Sequence, residues 1–364
     1  MKATVLIVGT GLLGTSLGLA LSDASYPVFL RDISPAAVHL AQDLGAGRIA
    51  PAGLRPDLVV VATPPDSSGA AIVAALREFP DAVVTDVTSV KGAVERVVLA
   101  AVPDDDAARF VGSHPMAGRE RSGAAAADKD IFAGRTWVIC PSALTRGAAV
   151  ELAREVAVVA GALPRVMTAA EHDAAVAAVS HLPQVLASLT AAQLSELPAE
   201  ALTLSGQGLR DTTRIAASDP MMWAPILAAN AAAVRPHLQG VYRQLEAVLE
   251  ALHTAELEGL DADGVMRTLA QTIEDGRAGR ARIPGKHGGA PRRYTEVLVV
   301  TPDRPGELGR LFAEIGRAGV NIEDVRIEHS AGAKMGITGL FVQPRAAAPL
   351  MKHLEELGWK VMLP

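Results

Sequence analysis

The chain has 364 residues, 49% of them hydrophobic, a formal net charge of −6 and a single cysteine. That length implies two or three domains, and the acidic balance argues against nucleic acid or an anionic membrane surface as the main partner. One cysteine excludes an internal disulfide and fits a reducing, cytoplasmic setting; the nine histidines show no metal-type cluster, and no uninterrupted apolar run reaches bilayer length.

Ala3 to Val8 reads as a buried parallel strand. Gly9-Thr10-Gly11-Leu12-Leu13-Gly14 follows, a GxGxxG between strand and apolar helix, the context its mechanism requires. Gly9 permits the tight turn, Gly11 lets a pyrophosphate approach, and Gly14 lets helix and strand pack closely. The amides at the helix start, Leu12 and Leu13 among them, then hold the diphosphate. A second strand, Val28 to Leu30, ends at Arg31-Asp32. Asp32 is placed to hydrogen-bond both ribose hydroxyls of an adenosine, which favours NAD over NADP. Arg31 is the counter-indication, since an arginine there can receive a 2′-phosphate.

Further strands follow at βαβ spacing. Leu58 to Ala62 ends in Thr63-Pro64-Pro65, and Ala82 to Thr85 ends in Asp86-Val87-Thr88-Ser89-Val90-Lys91. Ligands of open parallel sheets bind beyond the strand carboxyl ends, so Thr63 and Pro64 belong to the cofactor crevice. Ser89 and Lys91 are candidates to touch nicotinamide or substrate; alternatively Ser89 only caps the next helix. A strand-like run, Ala108 to Val111, feeds Gly112 to Gly123, GSHPMAGRERSG. This composition predicts a rigid surface loop, one that gathers His114, Glu120, Arg121 and Ser122 for a small anion. Trp137 to Cys140 reads as a buried strand, with Cys140 structural.

From about residue 166 alanine-rich helical sequence takes over. It carries Glu171-His172-Asp173, Ser180-His181-Leu182-Pro183-Gln184, Asp211-Thr212-Thr213-Arg214 and Asp219-Pro220, a helix start. Helices this rich in alanine bury against a second copy, so a homodimer through this domain is expected. Arg214 pairs with Asp211 at i−3, or grips a ligand carboxylate with its planar guanidinium. Residues 276–293, with six basic residues and five glycines, read as a flexible linker. Beyond Tyr294 the pattern restarts as βαββαβ, a ferredoxin-like unit.

GTGLLGTS, DVTSVKG, GSHPMAGRERSG, EHDAAVAAVSHLP and DTTRIAASDPMMW, in that order, resemble the prephenate/arrogenate dehydrogenase family of tyrosine biosynthesis. The resemblance implies an α/β protein: an NAD-binding Rossmann domain over residues 1–165, then an all-α substrate and dimerisation domain over 166–275. It implies NAD-dependent oxidative decarboxylation of prephenate to 4-hydroxyphenylpyruvate. His114 would accept the hydrogen bond of the 4-hydroxyl, Ser89 would orient it, Arg214 would bind a substrate carboxylate and Glu120 would gate the cleft. Ser180, Asp211 and Trp223 match positions lining or bracing the site, and His172 with Asp173 a supporting pair. Many prephenate-using members carry a second histidine where this chain has Gln184, near the pyruvyl side chain, so arrogenate stands as the alternative substrate. DRPGEL with GVNI resembles an ACT domain over residues 294–364, with Asp303, Gly306 and Asn321 as effector-binding residues and tyrosine as the expected inhibitor. A β-hydroxyacid dehydrogenase would need a lysine in the helical domain, and residues 166–275 hold none. A nucleotide- and amino-acid-sensing regulator without catalysis would not need His114 and Arg214 in one cleft.

Overall fold

The computed structural model describes residues 2–118, 123–284, 294–329 and 335–364. The chain divides into two compact units, Met1–Ser188 with Ile215–Gly240, and Leu189–Arg214 with Val241–Pro364.

The first unit is built on an eight-stranded sheet: β1 Val5–Val8, β2 Val28–Arg31, β3 Arg48–Ile49, β4 Leu58–Val61, β5 Val83–Asp86, β6 Phe110–Pro115, β7 Thr136–Cys140 and β8 Leu163–Val166. Their spatial order is β3-β2-β1-β4-β5-β6-β7-β8. Neighbours are parallel except β6 and β7. All four residues of β4 are fully buried, as are Val5, Leu6 and Ile7. Such unbroken apolar strands need cover on both faces. Alternate side chains supply it: Ile7 and Val60 pack with Leu17 and Leu21 of helix Leu12–Asp23, and Leu6 and Val59 pack with Ile72 and Leu76 of helix Pro65–Glu78. The sequence order reverses between β1 and β4, which opens a crevice at their carboxyl ends.

The stretch expected as a loop from Gly112 is strand as far as Pro115, and the strand begins at Phe110, not Ala108. Poor strand formers are overridden here by a partner: Gly112 to Pro115 pair antiparallel with Cys140 to Trp137. Arg109, which precedes the strand, is buried and donates to the carbonyls of Leu76, Phe79 and Ala82, closing the end of helix Pro65–Glu78.

Thr168 and Glu171 form a capping box that opens helix Ala169–Val176. The helix passes through one π turn, Ala177–His181, before continuing as Leu182–Ala192. Pro183 has no amide to offer the carbonyl four residues back, and the chain widens instead, with the Leu182 amide reaching the Ala177 carbonyl. By length and hydropathy alone the stretch Ala169–Glu196 could cross a bilayer, contrary to the expectation from the sequence. His172, His181 and Gln184 are buried within it by the protein itself. Helix Pro220–Ala229 starts as expected, its first turn capped by Asp219.

In the second unit, helix Val265–Arg280 continues through Gly276 and Gly279 into the stretch expected as linker; residues 285–293 lie outside the described residues. The C-terminal part is β9 Thr295–Pro302, helix Glu307–Arg317, β10 Asp324–His329, β11 Met335–Val342, helix Pro344–Glu356 and β12 Lys360–Met362. Its antiparallel sheet has the order β10-β11-β9-β12, the split arrangement of a βαββαβ unit. Val297, Val299, Leu311, Ile315, Leu340, Leu350 and Trp359 fill its core.

Candidate active site

At the β1 end Gly9 takes φ +103°, and a Cβ on Gly14 would collide with the Gly9 carbonyl. Among the described residues nothing lies within 4 Å of a Cβ built on Gly11, and no side chain caps the helix that begins at Leu12. The amides of Leu12 and Leu13 are therefore open to an anion brought over Gly11. These residues fit a dinucleotide diphosphate. Thr63 and Pro64 follow β4 beside this turn, and a Cβ on Gly9 would meet the Ala62 carbonyl.

Asp32 ends β2. Its carboxylate accepts from the amide and hydroxyl of Thr10, at 2.6 and 2.9 Å, and from the Ser34 amide at 2.8 Å. Partial burial works to raise its pKa, but the amides of Ser34 and Thr10 outweigh burial and hold the carboxyl below its usual range. Asp32 thus braces the glycine turn and holds a fixed negative charge beside it. Arg31 is turned away into an ion pair with Glu78 at 2.7 Å.

His114 stands on β6 opposite Val138, so a strand, not a loop, fixes its direction. Its Nδ1 lies 2.8 Å from Nε2 of His172, and Nδ1 of His172 lies 2.8 Å from the Asp173 carboxylate. Burial first, then the neighbouring His172, Lys91 and His181, push the His114 imidazole well below its usual pKa. Asp173 also accepts from the backbone amides of Lys91 and Gly92, both at 2.8 Å. Asp173 is thus the cap of helix Gly92–Ala101, and Ser89 is not. Ser89 lies half-buried in the bend before it, without a side-chain hydrogen bond among the described residues.

Lys91 does not line the crevice. It is 2% exposed, and its ammonium pairs with buried Asp86 while donating to Thr88 Oγ1 at 2.8 Å and the Ser113 carbonyl at 2.6 Å. Asp86 accepts in turn from the Ser113 amide. The pair stitches the end of β5 to the residue before His114. Nothing local in the sequence separates this buried role from a ligand-binding one. Cys140 is buried, its thiol pushed up to about 12 by desolvation, in keeping with a structural role.

Ser180 and His181 belong to the π turn. Asn230, which sequence reasoning did not single out, donates to the Asp173 carbonyl at 2.8 Å and lies 3.1 Å from Nδ1 of His181. Burial lowers the pKa of His181. The His181 ring meets Trp223 edge-on, centroids 5.9 Å apart, and the Trp223 indole N–H is buried without a partner among the described residues. Gln184 is 6% exposed, and its amide donates to the Ile215 carbonyl at 3.0 Å and receives the Ser218 hydroxyl at 3.4 Å. The side chain expected at the pyruvyl group is therefore spent on the turn after Arg214. Asp211 accepts from Gln207, one helical turn back, and Arg214 opens the 3-10 turn Arg214–Ala217. Glu120, with Arg121 and Ser122, lies outside the described residues.

The effector set is not assembled within one chain. β9 and β10 both pair antiparallel with β11, so they run the same way; Asp324 is level with Glu296, at the start of β9. Asn321 precedes that end, whereas Asp303 and Gly306 follow the other, about 25 Å away for eight strand residues.

A doubly wound sheet with a glycine turn at its switch point is the frame of a dinucleotide-binding oxidoreductase. The prephenate dehydrogenase nucleotide-binding domain matches residues 17–164, and the prephenate dehydrogenase dimerization domain matches residues 168–270. The chain belongs to the prephenate dehydrogenase family. It is 35% identical over 359 residues to the probable prephenate dehydrogenase NovF of Streptomyces niveus, with 98% of each chain covered. It is 28% identical to the prephenate dehydrogenase of Bacillus subtilis, covering 90% of this chain and 88% of that one. The crystal structure of prephenate dehydrogenase from A. aeolicus in complex with hydroxyphenyl propionate and NAD+ matches with a TM-score of 0.64 at 27% identity, covering 77% of this chain and 98% of that one.

Proposed function

We propose that this enzyme oxidises prephenate to 4-hydroxyphenylpyruvate with His114 as the base. Bound NAD supplies the hydride acceptor. The observation that carries the reading is the 2.8 Å contact between His114 Nδ1 and His172 Nε2. It ties one ring nitrogen down and leaves the other for the 4-hydroxyl proton. Ser89 orients that hydroxyl, and Arg214 grips a carboxylate as a planar fork. Trp223 offers its indole N–H, without a partner among the described residues, to a substrate oxygen. Ser180 and Asp211 brace the site, and Glu120 gates it.

Prephenate is preferred over arrogenate in this reading, and Gln184 acts on that choice through the turn it holds and not by touching the side chain. Tyr242, Leu245, Leu249 and Leu252 recur at helical spacing on helix Ala231–Glu258 and are exposed in the single chain; a second copy covers them in a homodimer. The βαββαβ unit serves as an ACT domain that binds tyrosine, and the enzyme works in the cytoplasm. The test is NADH production with prephenate and with arrogenate side by side. Turnover of arrogenate at the higher kcat/KM would overturn the substrate assignment, and turnover of neither would overturn the function.

A further inference from the structure

We propose that Asp173, acting through His172, sets the tautomer of His114 and thereby makes Nε2 the atom that takes the substrate proton. The proposal rests on the reading of His114 as the base. Asp173 and His172 are positioning residues in it, since neither needs to touch substrate.

Asp173 faces three N–H groups: the backbone amides of Lys91 and Gly92 and Nδ1 of His172, each at 2.8 Å. The two amides can only donate, so both carboxylate oxygens accept and the group stays ionised. An ionised carboxylate 2.8 Å from His172 Nδ1 requires the proton to sit on that nitrogen; otherwise two acceptors face each other with nothing between them. A His172 ring that carries only that proton has its lone pair on Nε2. Across the 2.8 Å to His114 the proton must belong to His114 Nδ1. His114 Nε2 is left as the lone pair.

Asp173 is held at both its backbone and its side chain. Asn230 donates to the Asp173 backbone carbonyl at 2.8 Å. The helix start at Gly92 grips the side chain, with the positive end of its dipole favouring the charge. Gly92 is required for that grip, because a Cβ there would lie 2.9 Å from Asp173 Oδ2. One carboxylate therefore fixes both the bend that carries Ser89 and the ring that orients the base.

The step balances as follows. The 4-hydroxyl O–H bond breaks and its proton bonds to His114 Nε2. The C4 hydrogen leaves with its electron pair to NAD. The bond to the ring carboxylate breaks, CO2 departs, that electron pair completes the aromatic ring, and the phenolate oxygen takes its proton back from His114 Nε2. The imidazolium formed on His114 keeps its Nδ1–H on His172, whose other side faces the Asp173 charge.

The experiment is nitrogen NMR of the full-length protein labelled in its histidines, with the His114 signals assigned by their loss in His114→Asn. In the wild type, His114 should show a protonated Nδ1 and a bare Nε2. In Asp173→Asn the side-chain amide can donate to His172 Nδ1, the order of protons reverses, and His114 should carry its proton on Nε2. kcat should fall roughly 10²–10⁴-fold, with the NAD dissociation constant unchanged. Gly92→Ala, which displaces the carboxylate without changing its charge, should move both readouts the same way by less, and it decides the matter if Asp173→Asn does not fold. An unchanged His114 tautomer in the folded variant, or wild-type kcat, overturns the proposal. Wild-type turnover in His114→Asn would instead remove the base assignment, and the NMR result would still report the coupling.

Discussion

Arg31 and Glu78 meet as a two-pronged ion pair, 47 residues apart in sequence, at 2.7 and 2.9 Å. This contact decides a question the sequence leaves open. An arginine at the end of β2 can receive the 2′-phosphate of NADP, but this one is engaged, and a carboxylate at Asp32 would repel that phosphate. NAD should be preferred. Glu78→Ala frees Arg31 and should narrow the ratio of kcat/KM values for NAD and NADP, and adding Asp32→Asn should narrow it further. Each tenfold narrowing corresponds to about 1.4 kcal/mol. An unchanged ratio in Glu78→Ala would mean that Arg31 does not reach the ribose.

His114 makes a prediction about acid. Burial and neighbouring histidine and lysine side chains lower its pKa, so the base stays neutral below the ~6.5 of a free histidine. The acid limb of kcat should lie well below that value, with the rate falling as pH drops through it. His114→Asn should lose roughly 10²–10⁴ in kcat while retaining NAD affinity. Stability follows the same sign. In the unfolded chain His114 and His181 take up protons near ~6.5, and in the fold only at lower pH. Their contribution is therefore complete above ~6.5 and is lost as pH falls toward the folded values. Denaturant melts across that window, compared with His181→Gln, measure the effect.

The Lys91–Asp86 pair is fully enclosed. Lys91→Met leaves an uncompensated carboxylate under the active site and should cost about 3–5 kcal/mol of stability. Asp86→Asn added to it should recover a large part, which a double-mutant cycle of melts would register as coupling. Additive losses would mean that the two charges do not depend on each other.

Local sterics made part of this molecule readable in advance. Gly9, Gly11 and Gly14 act within six residues of one another, and the Asp219-Pro220 helix start needs only its own turn. The base relay was less accessible, because His114 and His172 are 58 residues apart and only the docking of helix Ala169–Val176 brings them together. Gly112 to Pro115 misled for a related reason. Glycine, serine and proline read as loop until β7 supplies the ladder. Ser89 was a reasonable helix cap by spacing, but Asp173, 81 residues beyond Gly92, takes the place.

Arg214 should act in ground and transition states alike, since the substrate carboxylate proposed for it is present in both. Arg214→Ala should raise KM for prephenate with a smaller change in kcat, the pattern of lost uniform binding. Gln184→Ala should raise KM more weakly, by loosening the turn that follows Arg214. An unchanged KM in Arg214→Ala would leave the guanidinium with a structural task only.

The C-terminal unit makes the most specific prediction about assembly. Gly306 takes φ +89° and opens helix Glu307–Arg317 with no side-chain cap among the described residues, which leaves helix-start amides for an effector carboxylate. Asn321 directly precedes, in the chain, the residues that line an open surface groove, Ile322, Glu323, Asp324 and Val325 with Phe312, and its amide donates to Glu323. The strand register keeps Gly306 and Asn321 at opposite ends of one sheet. A tyrosine that uses both must therefore lie between two copies of the unit. Asn321→Ala and Gly306→Val, the latter strained at positive φ, should each leave prephenate turnover intact while weakening tyrosine inhibition. The coupling lost is on the order of 1–3 kcal/mol. Mixing the two variant chains should restore part of the inhibition, because a mixed pair contains one unaltered Gly306 facing one unaltered Asn321. Titrating tyrosine against the mixture and against each variant alone measures this. If the mixture is no more sensitive than its components, the two residues do not share a site; if both variants are inhibited like the wild type, tyrosine acts at the active site as a product mimic.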